Sequence, residues 1–311
     1  MSTTTSLVLG SGGAKGYTHI GVIRCLEDHG YDIRYISGSS IGALIGGIYA
    51  VGKLDEYTQW VETLQRSDVI RLLDWSFSRG ALFKSGRLLA TLKHMIGEGN
   101  IEDLPIGYTA VATDINRDSV RHEIWLNRGS LFEAIRASIA VPSLFSPVDH
   151  NGRLLIDGGV INPVPVAPTL NDHTDVTIAV DLHGRYDAQS ALSVSPARSE
   201  SAPQGTYRQS IGRYVDRLWS DADSDKENPR RFYDIAVSAM ELTQAMITQF
   251  RLAATPPAIV ISMPSNICSF FDFHRAEELI QFGYERTTEA LAHYSKPGVG
   301  PTSDTEVPPE A

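Results

Sequence analysis

Gly38-Ser39-Ser40-Ile41-Gly42 spells G-x-S-x-G between a short apolar run, Ile33 to Ile36, and the strongly apolar stretch from Ile41 to Ala50. A strand, a sharp turn and a helix form the setting in which a serine becomes an exposed nucleophile. Flanking glycines remove the Cβ clashes of such a turn, and the helix N-terminus adds positive partial charge. Ser39 competes, but only Ser40 has the required spacing. The plainer role, Ser40 as a helix N-cap, is compatible with catalysis.

A serine hydroxyl needs a base. Leu154-Leu155-Ile156-Asp157-Gly158-Gly159 ends a strand with a carboxylate followed by two glycines. Such an Asp can simply start a turn. Held near Ser40, it can instead accept the hydroxyl proton directly, a role governed by geometry before pKa. Asp114 and Asp181 are rival carboxylates at strand ends, and loop capping is their ordinary role. His183 follows the run Val176 to Val180 and fits the order Ser, acid, His of an α/β-hydrolase. Against it, the elbow comes after only the second strand, early for that order, and the other histidines are scattered. His183 therefore reads as a hydrogen-bonded or solvated side chain.

The third feature is Gly10-Ser11-Gly12-Gly13-Ala14-Lys15-Gly16, between the first strand and the first helix. Glycines there let backbone N–H groups converge on an anion, either a phosphate or the oxyanion of acyl transfer. It is no P-loop, since Gly-Lys-Ser/Thr is missing, and a dinucleotide fingerprint would need glycine where Lys15 stands. A tight turn without a ligand is the plainer alternative.

The elements that must position these groups follow from periodicity. Ser6 to Leu9 predicts a buried strand. Lys15 to His29 predicts a helix, with Ile20, Val22, Ile23 and Leu26 on one face and Gly30 closing it. Tyr108 to Thr113 and Val120 to Trp125 read as strands, and Leu131 to Ser138 as a short helix. Asn151-Gly152 between apolar runs predicts a type I′ hairpin. Val176 to Val180 has the uncharged, β-branched character of a central parallel strand. Phe232 to Leu252 predicts a helix, Ala258 to Ile261 a strand and Phe273 to His293 a last helix. Alternating strands and helices predict an α/β fold with helices on both faces of a mostly parallel sheet. Residues 1–296 read as one domain, with a polar insertion at 184–231 and a disordered tail at 297–311.

Composition excludes several classes. The 311 residues are 42% hydrophobic and 21% charged, with a formal net charge of −10. That is ordinary for a globular chain, and the acidic balance argues against a nucleic-acid partner. Cys25 and Cys268 lie too far apart in sequence for a disulfide framework or a zinc site. Cys25 falls in an amphipathic stretch and reads as a small core hydrophobe. The N-terminus lacks a basic region and a long apolar run, so no signal peptide is expected. The stretch Ile41 to Gly52 is about twelve residues long, short of the roughly twenty a membrane span needs. Leu252 to Phe271 is broken by Pro256, Pro257 and Pro264. A cytoplasmic protein is expected, with room for peripheral contact at the inner membrane face. Within the insertion, Arg213, Tyr214, Arg217, Leu218 and Trp219, with Arg208, Lys226, Arg230 and Arg231 nearby, have the pattern of a short amphipathic lid that touches lipid.

Taken in order, Gly10 to Gly16, Gly38 to Gly42, Ala134-Ile135-Arg136-Ala137-Ser138 through Pro142, and Asp157-Gly158-Gly159 followed by Asn162-Pro163-Val164-Pro165-Val166 resemble the patatin-like phospholipase family. The resemblance is to its compact bacterial branch, related to the neuropathy target esterase catalytic domain, and Phe271-Asp272-Phe273-His274-Arg275-Ala276 shares it. It implies a three-layer α/β/α sandwich with a mostly parallel central sheet. It also implies a Ser–Asp dyad without histidine: Ser40 as nucleophile and Asp157 as base. The oxyanion hole would come from the backbone N–H groups of Gly12, Gly13 and Ala14. Ser11 stands where many members have glycine. Lys15 stands where arginine is usual, which keeps the charge but loses the bidentate fork; it would support the loop or grip a phosphate headgroup. The implied activity is hydrolysis of carboxylic esters of phospholipids or lysophospholipids through an acyl-enzyme, with no metal or cofactor. Acyl transfer or thioester hydrolysis on the same dyad, and a non-catalytic regulator binding anionic lipid, remain open at this point. So do acyl length, headgroup, sn-position and oligomeric state.

Overall fold

Eight strands follow the chain as β1 (Thr3–Leu9), β2 (Tyr31–Ser39), β3 (Gly107–Asp114), β4 (Glu123–Leu126), β5 (Val148–His150), β6 (Arg153–Asp157), β7 (Val176–Gly184) and β8 (Ile259–Pro264). The helices are α1 (Thr18–Asp28), α2 (Ile41–Ala50), α3 (Leu54–Glu62), α4 (Arg66–Leu72), α5 (Gly86–Ile96), α6 (Leu131–Ser138), α7 (Pro229–Ala254) and α8 (Ala276–Ala292). These come from a computed structural model that describes residues 2–72, 86–142, 144–187 and 229–294. The basic residues between Arg208 and Lys226 and the tail lie outside the described residues. Among the described residues no helix is long and apolar enough to cross a membrane.

The hydrogen-bonded path through the sheet is β5-β6-β3-β2-β1-β7-β8, with β4 also on β3. Strands β3, β2, β1, β7 and β8 pair in parallel. The β4, β5 and β6 pairings are antiparallel. Side chains alternate between faces of the central strands. Leu7, Leu9, Ile178 and Val180 enter the main core with α1, α2 and α8, whereas Val8 and Ala179 meet Val164, Val166 and Leu252 on the other face. The architecture is therefore the expected α/β sandwich, with helices over both faces.

One register detail places the site. Ala110 and Val111 of β3 pair with both β2 and β4, so those two strands lie on opposite edges. Ala112 and Thr113 pair with both β4 and β6, so β6 lies opposite β4, on the edge that β2 has just left. Ser39 pairs with Val111 and Asp157 with Ala112. The end of β2 and the end of β6 thus abut on one edge of β3.

Helices α2 and α6 have the expected limits. The hairpin turn is type I′, with φ of 54° at Asn151 and 77° at Gly152. Three expectations need correction. The helix expected from Lys15 starts at Thr18, because Gly13–Tyr17 forms a 3₁₀ turn first. Strand β7 continues to Gly184, so His183 lies inside it. Helix α7 begins at Pro229, inside the stretch expected to be polar insertion; proline suits a first helical turn. Helices α3, α4 and α5 had no counterpart in the periodicity argument.

Candidate active site

Ser40 sits between β2 and α2 with φ 56° and ψ −125°, a sparsely populated conformation for a residue with a Cβ. The packing of the turn requires the glycines. A Cβ on Gly38 would overlap the Ala43 backbone, and one on Gly42 would overlap the Leu9 carbonyl. The Ser40 N–H donates to Ser138 Oγ at 2.9 Å, and Ser138 Oγ donates to the Val111 carbonyl at 2.6 Å. The last residue of α6 thus ties the elbow to β3. Sequence reasoning quoted Ser138 as part of a motif but gave it no role. Ser138→Ala leaves a buried N–H unpaired, which costs about 1–3 kcal/mol. It is expected to lower kcat by about tenfold with KM little changed. Steady-state kinetics would show this, and an unaltered kcat would remove Ser138 from the site.

Ser40 Oγ donates to Asp157 Oδ2 at 2.5 Å. The other carboxylate oxygen accepts the Gly159 N–H at 2.7 Å. The Asp157 N–H donates to the Ala140 carbonyl at 2.9 Å, and its carbonyl accepts from Thr113 Oγ1 at 2.8 Å. Backbone and side chain are fixed together. Asp157 is only 1% exposed. Burial pushes its carboxyl from 3.8 up to about 7, while the hydrogen bonds from Ser40 and Gly159 oppose the rise.

The glycine loop is held from several sides. Ser11 N–H donates to the Pro163 carbonyl at 2.8 Å, and His19 Nε2 donates to the Gly10 carbonyl at 2.8 Å. Burial lowers the His19 pKa to about 4, so this imidazole is neutral. Gly13 takes φ 57°, open to glycine at little cost. Ala14 N–H donates to the Phe270 carbonyl at 2.9 Å. A place for Ala14 in the oxyanion hole would require that bond to open. The N–H groups of Gly12 and Gly13 make no bond to another backbone group among the described residues. Lys15 is 2% exposed and its Nζ lies 3.0 Å from Glu241 of α7. It faces inward, as loop support would have it; gripping a headgroup would require leaving Glu241.

Beside Ser40 and Gly13 opens a cavity of about 110 Å³. Tyr17, Leu44, Tyr57, Leu92, Leu144 and Phe273 are among its walls, and no charged side chain among the described residues lines it. Much of that wall comes from α3, α4 and α5.

The rival carboxylates and His183 are occupied elsewhere. Ser39 is fully buried, and its hydroxyl has no hydrogen-bond partner among the described residues. Asp114 accepts from Asn116 N–H at 3.0 Å and Ser119 Oγ at 2.7 Å, and these bonds lower its pKa. Asp181 accepts the His183 N–H at 2.8 Å. His183 Nε2 is bonded to Gln244 Oε1 at 3.0 Å. Cys25 is buried, as expected of a core residue.

Comparison with known proteins identifies the family. A family model described as patatin-like phospholipase matches residues 7–170. An uncharacterized NTE family protein from Mycobacterium bovis is 35% identical over 93% of this chain and 92% of its own length. A lysophospholipase NTE1 from Kluyveromyces lactis is 29% identical over 92% of this chain, which spans 19% of that protein. Among solved structures, VipD from Legionella pneumophila aligns with a TM-score of 0.43 and 15% identity, over 94% of this chain and 67% of that one. The family model covers more than half of the chain and includes both Ser40 and Asp157; the chain belongs to the patatin-like phospholipase family and is a lipid hydrolase.

Proposed function

We propose that the chain hydrolyses carboxylic esters of lysophospholipids or phospholipids through a Ser40–Asp157 dyad and an acyl-enzyme. The observation that carries this is the 2.5 Å hydrogen bond from Ser40 Oγ to Asp157 Oδ2 at the edge of an uncharged apolar cavity. The acyl chain lies in that cavity with its carbonyl carbon at Ser40. Ser40 Oγ attacks as its proton passes to Asp157 Oδ2. A carboxylate whose pKa is raised to about 7 is a stronger base than an ordinary one and is still substantially ionised at neutral pH. The carbonyl oxygen takes up negative charge opposite the Gly12 and Gly13 N–H groups, where each such donor is worth about 3–4 kcal/mol in general. Collapse breaks the ester bond, and the departing alcohol oxygen takes the proton from Asp157. Water then loses a proton to Asp157 and attacks the acyl-enzyme. Expulsion of Ser40 Oγ, reprotonated by Asp157, releases the fatty acid.

The direct test is a fluorophosphonate probe together with lysophosphatidylcholine turnover. Wild type is expected to be labelled and to release fatty acid, and Ser40→Ala to do neither. Labelling that persists in Ser40→Ala would remove Ser40 from the mechanism. Acyl lysolipid accumulating in place of fatty acid would redirect the reading to acyl transfer.

A further inference from the structure

Helix α7 is amphipathic in the reverse sense for a surface helix. Three of its polar side chains turn inward: Glu241 to Lys15, Gln244 to His183 and Arg251 to Glu123. Its outward stripe is apolar. Ile235, Leu242, Met246 and Phe250 are 39%, 41%, 41% and 70% exposed. Their spacing of seven, four and four residues puts them on one face over about 22 Å. The exposed positions between them are alanine, threonine or glutamine, and Glu241 is the only charged residue from 235 to 250.

The same helix borders the catalytic cavity. Val237 and Met240 pack against Val141, Leu144 and Phe270, all of which line it. A helix is about 10–12 Å across, so a surface resting on the outer stripe of α7 lies about that far from the catalytic loops.

We propose that this outer face of α7 docks on a neutral, zwitterionic lipid surface and so brings the cavity to its substrate. Charge selects the occupant. A stripe without charge, on a chain of net charge −10, fits a zwitterionic bilayer and is repelled by an anionic one. The proposal rests on the lipid-ester reading above, and its test separates the two.

The full-length chain and the triple variant Leu242→Gln, Met246→Gln, Phe250→Gln are floated with phosphatidylcholine vesicles, with and without added phosphatidylglycerol. Both are assayed on p-nitrophenyl butyrate, a soluble ester that needs no bilayer. Wild type is expected to bind phosphatidylcholine vesicles, and no better when anionic lipid is added. The variant should lose at least tenfold in vesicle affinity with its soluble-ester turnover unchanged. Equal vesicle binding by both proteins would overturn the proposal, as would binding that requires phosphatidylglycerol. So would a wild-type dimer that the variant dissolves, since a second copy would then own the face. Unaltered vesicle binding with a lowered Tm would assign the face to the chain's own 188–228 segment instead. A wild type that floats through this face yet cleaves no lipid ester would sink the hydrolase reading and leave the docking surface standing.

Discussion

Asp157→Asn is expected to cut ester turnover by at least about 10³-fold and, at pH 8, to raise thermal stability. The second effect follows from burial. In the unfolded chain the carboxyl ionises near 3.8, whereas in the fold it holds its proton up to about 7. Between those values the folded state binds more protons than the unfolded one, so stability falls as pH rises through the window. Above pH 7 the full cost is present, on the order of 4 kcal/mol. Asparagine never carries the charge. Its advantage in Tm should therefore be smaller at pH 5 and largest at pH 8, which calorimetry at the two values would resolve. For wild type the sign is opposite in activity: kcat/KM should climb with pH through about 7 and level off above it. A flat profile from pH 5 to 9, or appreciable turnover by Asp157→Asn, would mean that another group takes the proton.

The buried pair Lys15–Glu241 gives the second large effect, and it is asymmetric. Lys15 is 2% exposed and Glu241 29%. Glu241→Leu strands an ammonium that water cannot reach, and breaking a buried pair in this way generally costs about 3–5 kcal/mol. With one partner partly hydrated, about 2–4 kcal/mol is expected, a fall in Tm of roughly 5 °C or more for a chain of this size. Lys15→Met fills the same slot without charge and frees a carboxylate that can meet solvent, so its cost should be under about 1 kcal/mol. The double variant should resemble Lys15→Met, a clear departure from additivity. Because Lys15 adjoins Gly13 and Ala14, Glu241→Leu should also slow fluorophosphonate labelling. Equal losses of Tm in the two single variants would show that the ion pair does not govern this corner of the fold.

Much of the site was legible because its local requirements are severe. Only glycine clears the backbone around the elbow, so Gly38 and Gly42 mark Ser40 in the bare sequence. Asn151-Gly152 announced the hairpin that delivers Asp157, since a type I′ turn needs two positive φ angles. Long-range contacts were not legible. Glu241 is 226 residues from Lys15, and no spacing rule joins them. The role of Ser138 depends on α6 ending beside β3. Strand β7 appeared to stop at Val180 because Asp181 and His183 are polar, yet Asp181 pairs with Ser262 of β8 and Gly184 with Pro264. The helices that wall the cavity do carry amphipathic spacing, with Leu54, Tyr57 and Val61 on one face of α3 and Leu92 and Ile96 on one face of α5, but no spacing ties those faces to the elbow.

Phe270 joins two parts of the molecule that a substrate would meet separately. Its carbonyl holds the Ala14 N–H, and its ring is part of the cavity wall and packs edge-on to Phe271 with centroids 5.0 Å apart. A long acyl chain that settles against the ring also braces the peptide unit anchoring the glycine loop. A short chain leaves that side of the wall untouched. Lengthening the ester should therefore quicken the chemical step itself, beyond any tightening of the initial complex, because contact far from the carbonyl would be converted into order at the place where charge develops.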